Sequence, residues 1–235
     1  MACILHLETS TSVCSVALSD EGRTVFEKVS CEGPSHAALL GVFTEEAIAF
    51  TRAAGRMPDA VALSSGPGSY TGLRIGTSLA KGLCMGWGVP LIAVPTLKVM
   101  ALRAIRHTGE QDGLYCAMLD ARRMEVYAAI YDVRLQTVRE TRAEVVTPET
   151  YRSFLDRGTV YFFGNGAPKC HTLITSANAL FPDNIHPLAT DMAPLAETLF
   201  REQAFEDPAY FEPFYLKGFI PTTPKELFQT GKRPV

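Results

Sequence analysis

The chain opens on a short apolar run, Cys3 to Leu7, which ends in an acid, Glu8, and a polar turn, Thr9 to Ser12. A run of that length bounded by turn residues predicts a buried strand. Val13 to Ser19 alternates and predicts a second strand. Asp20-Glu21-Gly22 is a turn, and Arg23 to Ser30 a third strand with Val25, Glu27 and Val29 on one face. The period then changes. After Pro34-Ser35-His36, Leu39, Phe43, Ala47 and Phe50 fall at helical spacing, with Ser35 placed as the cap, and the helix ends near Gly55. Ala60 to Ser64 is an apolar strand, Ser65 to Tyr70 a glycine-rich turn and Thr71 to about Gly86 a second helix. Pro90 to Val94 is another strand and Thr96 to about His107 another helix.

The pattern then restarts. Leu114 to Leu119 is a strand ending in Asp120, Glu125 to Tyr131 alternates, and Gln136 to Val146 contains a third strand. Pro148 to Asp156 predicts a short helix, Val160 to Phe163 a strand, and Gly164-Asn-Gly166 a turn. A helix to about Leu180, a strand at Ile185 to Leu188 and a last helix from Asp191 to Phe205 follow, with Pro194 in its tolerant first turn. Each half therefore reads β-β-β-α-β-α-β-α, which predicts two α/β lobes, each a mixed sheet covered by helices. The first lobe spans 1–108 and the second 109–220, the last helix (about 191–205) being free to pack back on the first. The tail, 221–235, is rich in Pro, Thr and Lys and is expected to fray. His6-Leu7-Glu8-Thr9 and Met118-Leu119-Asp120-Ala121 are local echoes. Facing units would bring Glu8 and Asp120 to the walls of one cleft.

Composition narrows the function. The 235 residues are 47% hydrophobic and 20% charged, which fits a globular protein and excludes disorder or coiled coil as the main character. Lys+Arg number 22 against 25 Asp+Glu, a formal charge of −3. A self-sufficient nucleic-acid binder carries a basic excess, so work on RNA implies a partner that supplies charge. The six cysteines are scattered without a C-x-x-C pair, which predicts reduced core thiols in the cytosol. The N-terminus lacks a basic region before its apolar stretch, so no signal peptide is expected, and no apolar run approaches the roughly 18 residues of a membrane span.

The most informative segment is Ser64-Ser-Gly-Pro-Gly-Ser-Tyr-Thr-Gly-Leu-Arg-Ile-Gly76, set between a strand and a helix. Gly66, Gly68 and Gly72 permit a sharp turn and a close approach, and free amides at the helix start favour an anion. The run lacks the Lys-Ser/Thr of a Walker loop, and Tyr70 stands where a nucleophile elbow needs Ser. A structural turn and an anion site fit these residues equally. In the following helix Gly72, Gly76 and Ala80 recur at i+4, with Gly82 and Gly86 on a neighbouring line and Leu73, Ile75, Leu79 and Leu83 in other sectors. Helical glycine costs about 1 kcal/mol against alanine, and a line of small residues lets another helix approach, from this chain or from another. No histidine is paired at i+4 or in H-E-x-x-H; His36 is followed by Leu40. Glu8 and Asp120 are strand-end acids suited to Mg²⁺ or general-base work, or simply to capping a turn. Arg122-Arg123 suits a phosphate contact or a solvated turn.

Four segments together resemble the TsaB (YeaZ) family: Ile4 to Leu18, Gly66 to Gly76, Asp120-Ala-Arg-Arg-Met-Glu-Val-Tyr127 and Glu212-Pro-Phe-Tyr-Leu216, in order and spanning nearly the whole chain. The resemblance implies the actin-like (ASKHA) fold of two ribonuclease-H-like lobes. It implies a cytoplasmic, non-catalytic dimerisation subunit that pairs with and activates TsaD in making N6-threonylcarbamoyladenosine in tRNA. The sister's metal-binding H-x-x-x-H pair is missing, since Leu40 follows His36, so no metal is expected. The mating surface falls on the helices at Ser35–Ala53 and Thr71–Gly86, through Ala38 and Val42 on the first and Gly72, Leu73, Gly76, Leu79 and Ala80 on the second. Further implied are the accessory ATPase TsaE as a partner, self-pairing when alone, and tRNA contact only indirectly. No cofactor is required, although a nucleotide at the partner interface would fall to Glu8, Asp120, Gly66 and Gly68. Glu8 stands where many relatives carry Asp, and Gly164-Asn-Gly-Ala167 is a faint adenine motif. The alternatives are an actin-like ATP-dependent phosphotransferase, resting on Glu8, Asp120 and the glycine-rich turn, and a metalloprotease-like enzyme, which the missing histidine pair disfavours.

Overall fold

The computed structural model describes residues 2–31, 36–110 and 112–217. Ser35 and the tail beyond Pro221 lie outside them. The first half follows the order read above: β1 (Cys3–Glu8), β2 (Cys14–Asp20), β3 (Arg23–Ser30), α1 (His36–Ala53), β4 (Ala60–Gly66), α2 (Tyr70–Trp87), β5 (Leu91–Pro95) and α3 (Thr96–Thr108). The strands form one mixed sheet in the order β3-β2-β1-β4-β5. β1 lies at its centre, antiparallel to β2 (Leu5 opposite Leu18) and parallel to β4 (Leu5 opposite Val61).

A central strand is covered on both faces, which is why all six residues of β1 are buried. Alternation divides its cover. Cys3, Leu5 and Leu7 pack with Leu40 and Ala47 of α1 and Ala80 and Cys84 of α2. Ile4, on the opposite face, packs with Ala62, Ile92 and Val99 and with Met192 and Ala196 from the far end of the chain. Each fully buried Leu or Ile stabilises this arrangement by about 1.5–3 kcal/mol. His6 shares that second face. Its Nε2 meets Ser19 Oγ at 2.7 Å, and burial lowers its pKa to about 3.

The second half repeats the topology. β6 (Leu114–Asp120), β7 (Glu125–Tyr131), β8 (Thr137–Val145), β9 (Val160–Phe163) and β10 (Ala179–Leu180) form a sheet in the order β8-β7-β6-β9-β10. This duplicated pattern, three antiparallel strands followed by two parallel ones, is the two-lobed actin-like architecture. α3 serves both lobes: Val99 faces the first sheet, while Leu97, Met100, Ala101 and Ala104 pack on Tyr115, Ala117, Leu119 and Phe163 of the second.

The second lobe departs from the reading in its helices. Residues 167–180 hold only a 3₁₀ turn, Pro168–Cys170, before β10. Thr172, Thr175, Ser176 and Asn178 fall close together in this stretch, and such residues favour turns over helix interiors. Ile185 to Leu188 forms no strand; Pro182 precedes it and Pro187 lies within it, and neither can donate to a ladder. The helix expected over Pro148 to Asp156 shrinks to α4 (Arg152–Leu155). The last helix is α5 (Ala193–Arg201), preceded by a 3₁₀ turn at Ala189–Met192.

That 3₁₀ turn and α5 pack on the first sheet, and Asp191 anchors them through Arg103 of α3 at 3.0 Å. The chain then returns over the first lobe. Glu206 N donates to Leu91 O (2.9 Å) and Phe214 N to Ser65 O (2.7 Å). Lys81 Nζ donates to the carbonyls of Ala209 and Phe211, each at 3.1 Å, and Tyr215 lies 4.9 Å from Tyr70. All six cysteines are free, and Cys31 alone is exposed.

Candidate functional site

The glycine-rich run folds against the turn that follows β1. Ser69 caps α2, its Oγ accepting from Gly72 N at 3.3 Å, while its own N–H donates to Ser10 O at 2.7 Å. Thr9 Oγ1 donates to Gly72 O at 2.8 Å. A Cβ placed on Gly68 would sit 2.4 Å from Ser10 O, one on Gly72 2.0 Å from Thr9 O, and one on Gly76 2.4 Å from Thr9 Oγ1. These distances are well inside contact, so the turn can dock only on glycine. The residues that left a structural turn and an anion site open thus have a complete explanation inside their own lobe.

Glu8 fastens the same junction. Ser10 N and Ser10 Oγ donate to its Oε1 at 2.7 and 2.6 Å, and Ser64 Oγ donates to Oε2. Its exposure is 0%, and burial pushes the carboxyl above its ordinary range, against those three hydrogen bonds. The sequence placed Glu8 on the wall of a cleft shared with Asp120. The structure seals it inside the first lobe, where both oxygens are occupied. Asp120 is exposed at the end of β6, its Oδ1 accepting from Arg122 N at 3.0 Å and pairing with Lys169. Asn165 Oδ1 accepts from Asp120 N at 2.9 Å. Gly164 and Gly166, of the faint adenine motif, are again filled from within: added Cβ atoms would meet Met118 O at 2.3 Å and the Leu119 carbonyl carbon at 2.9 Å.

The expected mating line on α2 needs a correction of the same kind. Gly72, Leu73, Gly76 and Ala80 are buried. Gly72 and Gly76 press on Thr9, and Ala80 belongs to the core under β1, so none of the four is available to another chain. The small residues bring the helix close to its own β1–β2 turn. The neighbouring line is the open one. Among the described residues, added Cβ atoms on Gly82 and Gly86 meet nothing within 4 Å, and Met85 is 69% exposed. Leu79 is half-buried beside them. On α1, which packs against α2, Ala38 is exposed, Val42 is 49% exposed, and Gly41 likewise meets nothing. Gly41 and Met85 escaped the sequence reading, although a glycine inside a predicted helix was a usable signal for the first.

His36 opens α1 with its Nε2 donating to Val13 O at 3.1 Å, and Leu40, one turn on, is 1% exposed in the core. No group of three or more metal-ligating side chains occurs among the described residues. No helix among them is long and apolar enough to cross a membrane.

Residues 32–198 match the family described as "TsaD: tRNA N6-adenosine threonylcarbamoyltransferase". The chain is 32% identical over 224 residues to the tRNA threonylcarbamoyladenosine biosynthesis protein TsaB of Escherichia coli, covering 92% of this chain and 95% of the relative. It is 29% identical to the TsaB of Haemophilus influenzae over 92% of this chain and 94% of that one. A Pseudomonas aeruginosa structure described as an uncharacterized protein with similarity to peptidase YEAZ superposes with a TM-score of 0.79 at 27% identity, covering 92% of this chain and 100% of that one. With a duplicated fold and matches along nearly its whole length, the chain belongs to the TsaB (YeaZ) family of tRNA threonylcarbamoyladenosine biosynthesis proteins.

Proposed function

We propose that the protein serves tRNA threonylcarbamoyladenosine synthesis as a non-catalytic subunit, pairing with TsaD through the outer faces of α1 and α2. One observation carries this reading. Gly41, Gly82 and Gly86 sit inside helices, and among the described residues nothing lies within 4 Å of an added Cβ. Each costs the helix about 1 kcal/mol against alanine. The buried glycines of α2 have an intramolecular reason; these three do not, and the close approach of a second backbone supplies one. Val42, Met85 and the half-buried Leu79 provide apolar area beside them. In the absence of TsaD the same face would pair with a second copy. The family resemblance adds TsaE as a further partner of the pair.

The chain itself needs no cofactor in this reading. The occupied oxygens of Glu8 speak against a working Mg²⁺–nucleotide centre in the first lobe and so against the phosphotransferase alternative. Leu40 in place of a second histidine speaks against the metalloprotease alternative. The test is co-purification with the cognate TsaD, followed by threonylcarbamoyl transfer to tRNA with and without this chain. Gly82→Leu and Gly86→Leu should abolish co-elution on a sizing column and the stimulation of transfer, with unchanged folding. Equal transfer by TsaD alone, or full pairing by both variants, would remove the proposal.

A further inference from the structure

The β6–β7 turn carries a feature that subunit pairing does not use. Arg122 and Arg123 follow one another in the left-handed region, at φ 72° and 48°. Only glycine enters that region without cost, and successive bulky residues there are unusual. The turn is nevertheless firmly built: Arg122 N donates to Asp120 Oδ1 at 3.0 Å, Ala121 N to Glu125 O at 3.1 Å and Glu125 N to Arg122 O at 3.1 Å. Both arginines are exposed, and neither guanidinium has an ion-pair or hydrogen-bond partner among the described residues.

The neighbouring charges make the patch more cationic. The two acids of the turn are already neutralised, Asp120 by Lys169 and Glu125 by Lys217, and Lys169 Nζ also donates to Glu125 O at 2.6 Å. Four cations therefore meet two carboxylates, a local charge of +2 on a chain whose total is −3. Guanidinium is the side chain best matched to phosphate, because its fork of N–H donors engages two oxygens at once.

We infer that the Arg122-Arg123 turn is a direct contact for the phosphodiester backbone of the RNA substrate. The sequence had implied only indirect contact with tRNA, because the whole chain is acidic. The structure gathers cations at one hairpin tip instead. Phosphate contacts position a nucleic acid without reading its sequence, which is the task of a subunit that holds tRNA for a catalytic partner. The inference rests on the tRNA role and is independent of which helices mediate pairing.

The test is tRNA binding by the full chain, alone and paired with TsaD, titrated from low to moderate salt. R122G/R123G accepts the turn's backbone, so its melting temperature should equal or exceed the wild type, and pairing on a sizing column should persist. Its tRNA affinity should fall, and the slope of log K against log salt should flatten by about 1.4–1.8, since each lost phosphate contact removes about 0.7–0.9. R122N/R123N, also tolerant of this backbone, should lose the same slope, and R122K/R123K should keep it. An unchanged slope in the Gly and Asn variants overturns the inference. So does calorimetry in which these variants lose ATP binding that the wild type shows while their tRNA slope stays intact, because the phosphate recognised is then a nucleotide's. Failed pairing with an intact slope difference would sink the pairing proposal alone.

Discussion

Alanine at two positions of α2, six residues apart, should move stability in opposite directions. At Gly76 the added Cβ would lie 2.4 Å from Thr9 Oγ1, the atom that donates to Gly72 O. Alanine returns about 1 kcal/mol of helix propensity there, but overpacking costs about 1–3 kcal/mol and displacing the Thr9 hydroxyl about 1 more. The net loss is about 1–3 kcal/mol, a fall in Tm of about 2–12 °C for a chain of this size. At Gly82 none of the described residues lies within 4 Å, so alanine brings the propensity gain without a clash. Its Tm should rise by about 2–4 °C. Thermal unfolding of both purified variants, followed by circular dichroism, is the assay. Gly76→Ala melting at or above the wild type would refute the assignment of the buried glycines to the β1–β2 turn.

Three further outcomes are expected. Because burial raises the Glu8 carboxyl, its contribution to stability is present below the ordinary value of 4.5 and is lost as pH rises through its own; Glu8→Gln should therefore gain on the wild type in Tm between pH 4.5 and pH 8, and a constant difference would contradict this. His6 shows the opposite sense: its pKa falls from 6.5 to about 3, so stability is lost on acidification through that window at up to about 1.4 kcal/mol per pH unit, and His6→Gln should show a shallower acid limb in urea titrations. Leu40→His, which restores an H-x-x-x-H spacing with His36, should cost about 2–4 kcal/mol by removing a core leucine and burying an imidazole, and elemental analysis should find no bound metal.

The first lobe was legible because its periods are clean. Leu5 and Leu7 alternate with Ile4 and His6, Leu39 to Phe50 keep helical spacing, and Gly22 and Gly55 mark turns. Residues 167–188 were not, since Ile174 and Ile185 are buried singly in irregular chain and give no period to read. The line Gly72, Gly76, Ala80 was visible, but spacing alone does not say which backbone comes close; only the position of Thr9 decides it. Glu8 shows the same limit. A strand-end acid that lines a cleft and one that ties a turn to Ser64 have the same sequence, and the second is what the fold contains.

Met192 and Ala196 complete the layer over Ile4, Ala62 and Ile92. Met192 and Ala196 lie a hundred residues beyond Ile92, so a nascent chain emerging from the ribosome holds this side of the first sheet covered only by Val99 of α3 until the second lobe has been made. Translation that stops after α3 would release a fragment with part of its oily underside exposed to water, prone to clump with its own kind rather than persist as a free-standing unit.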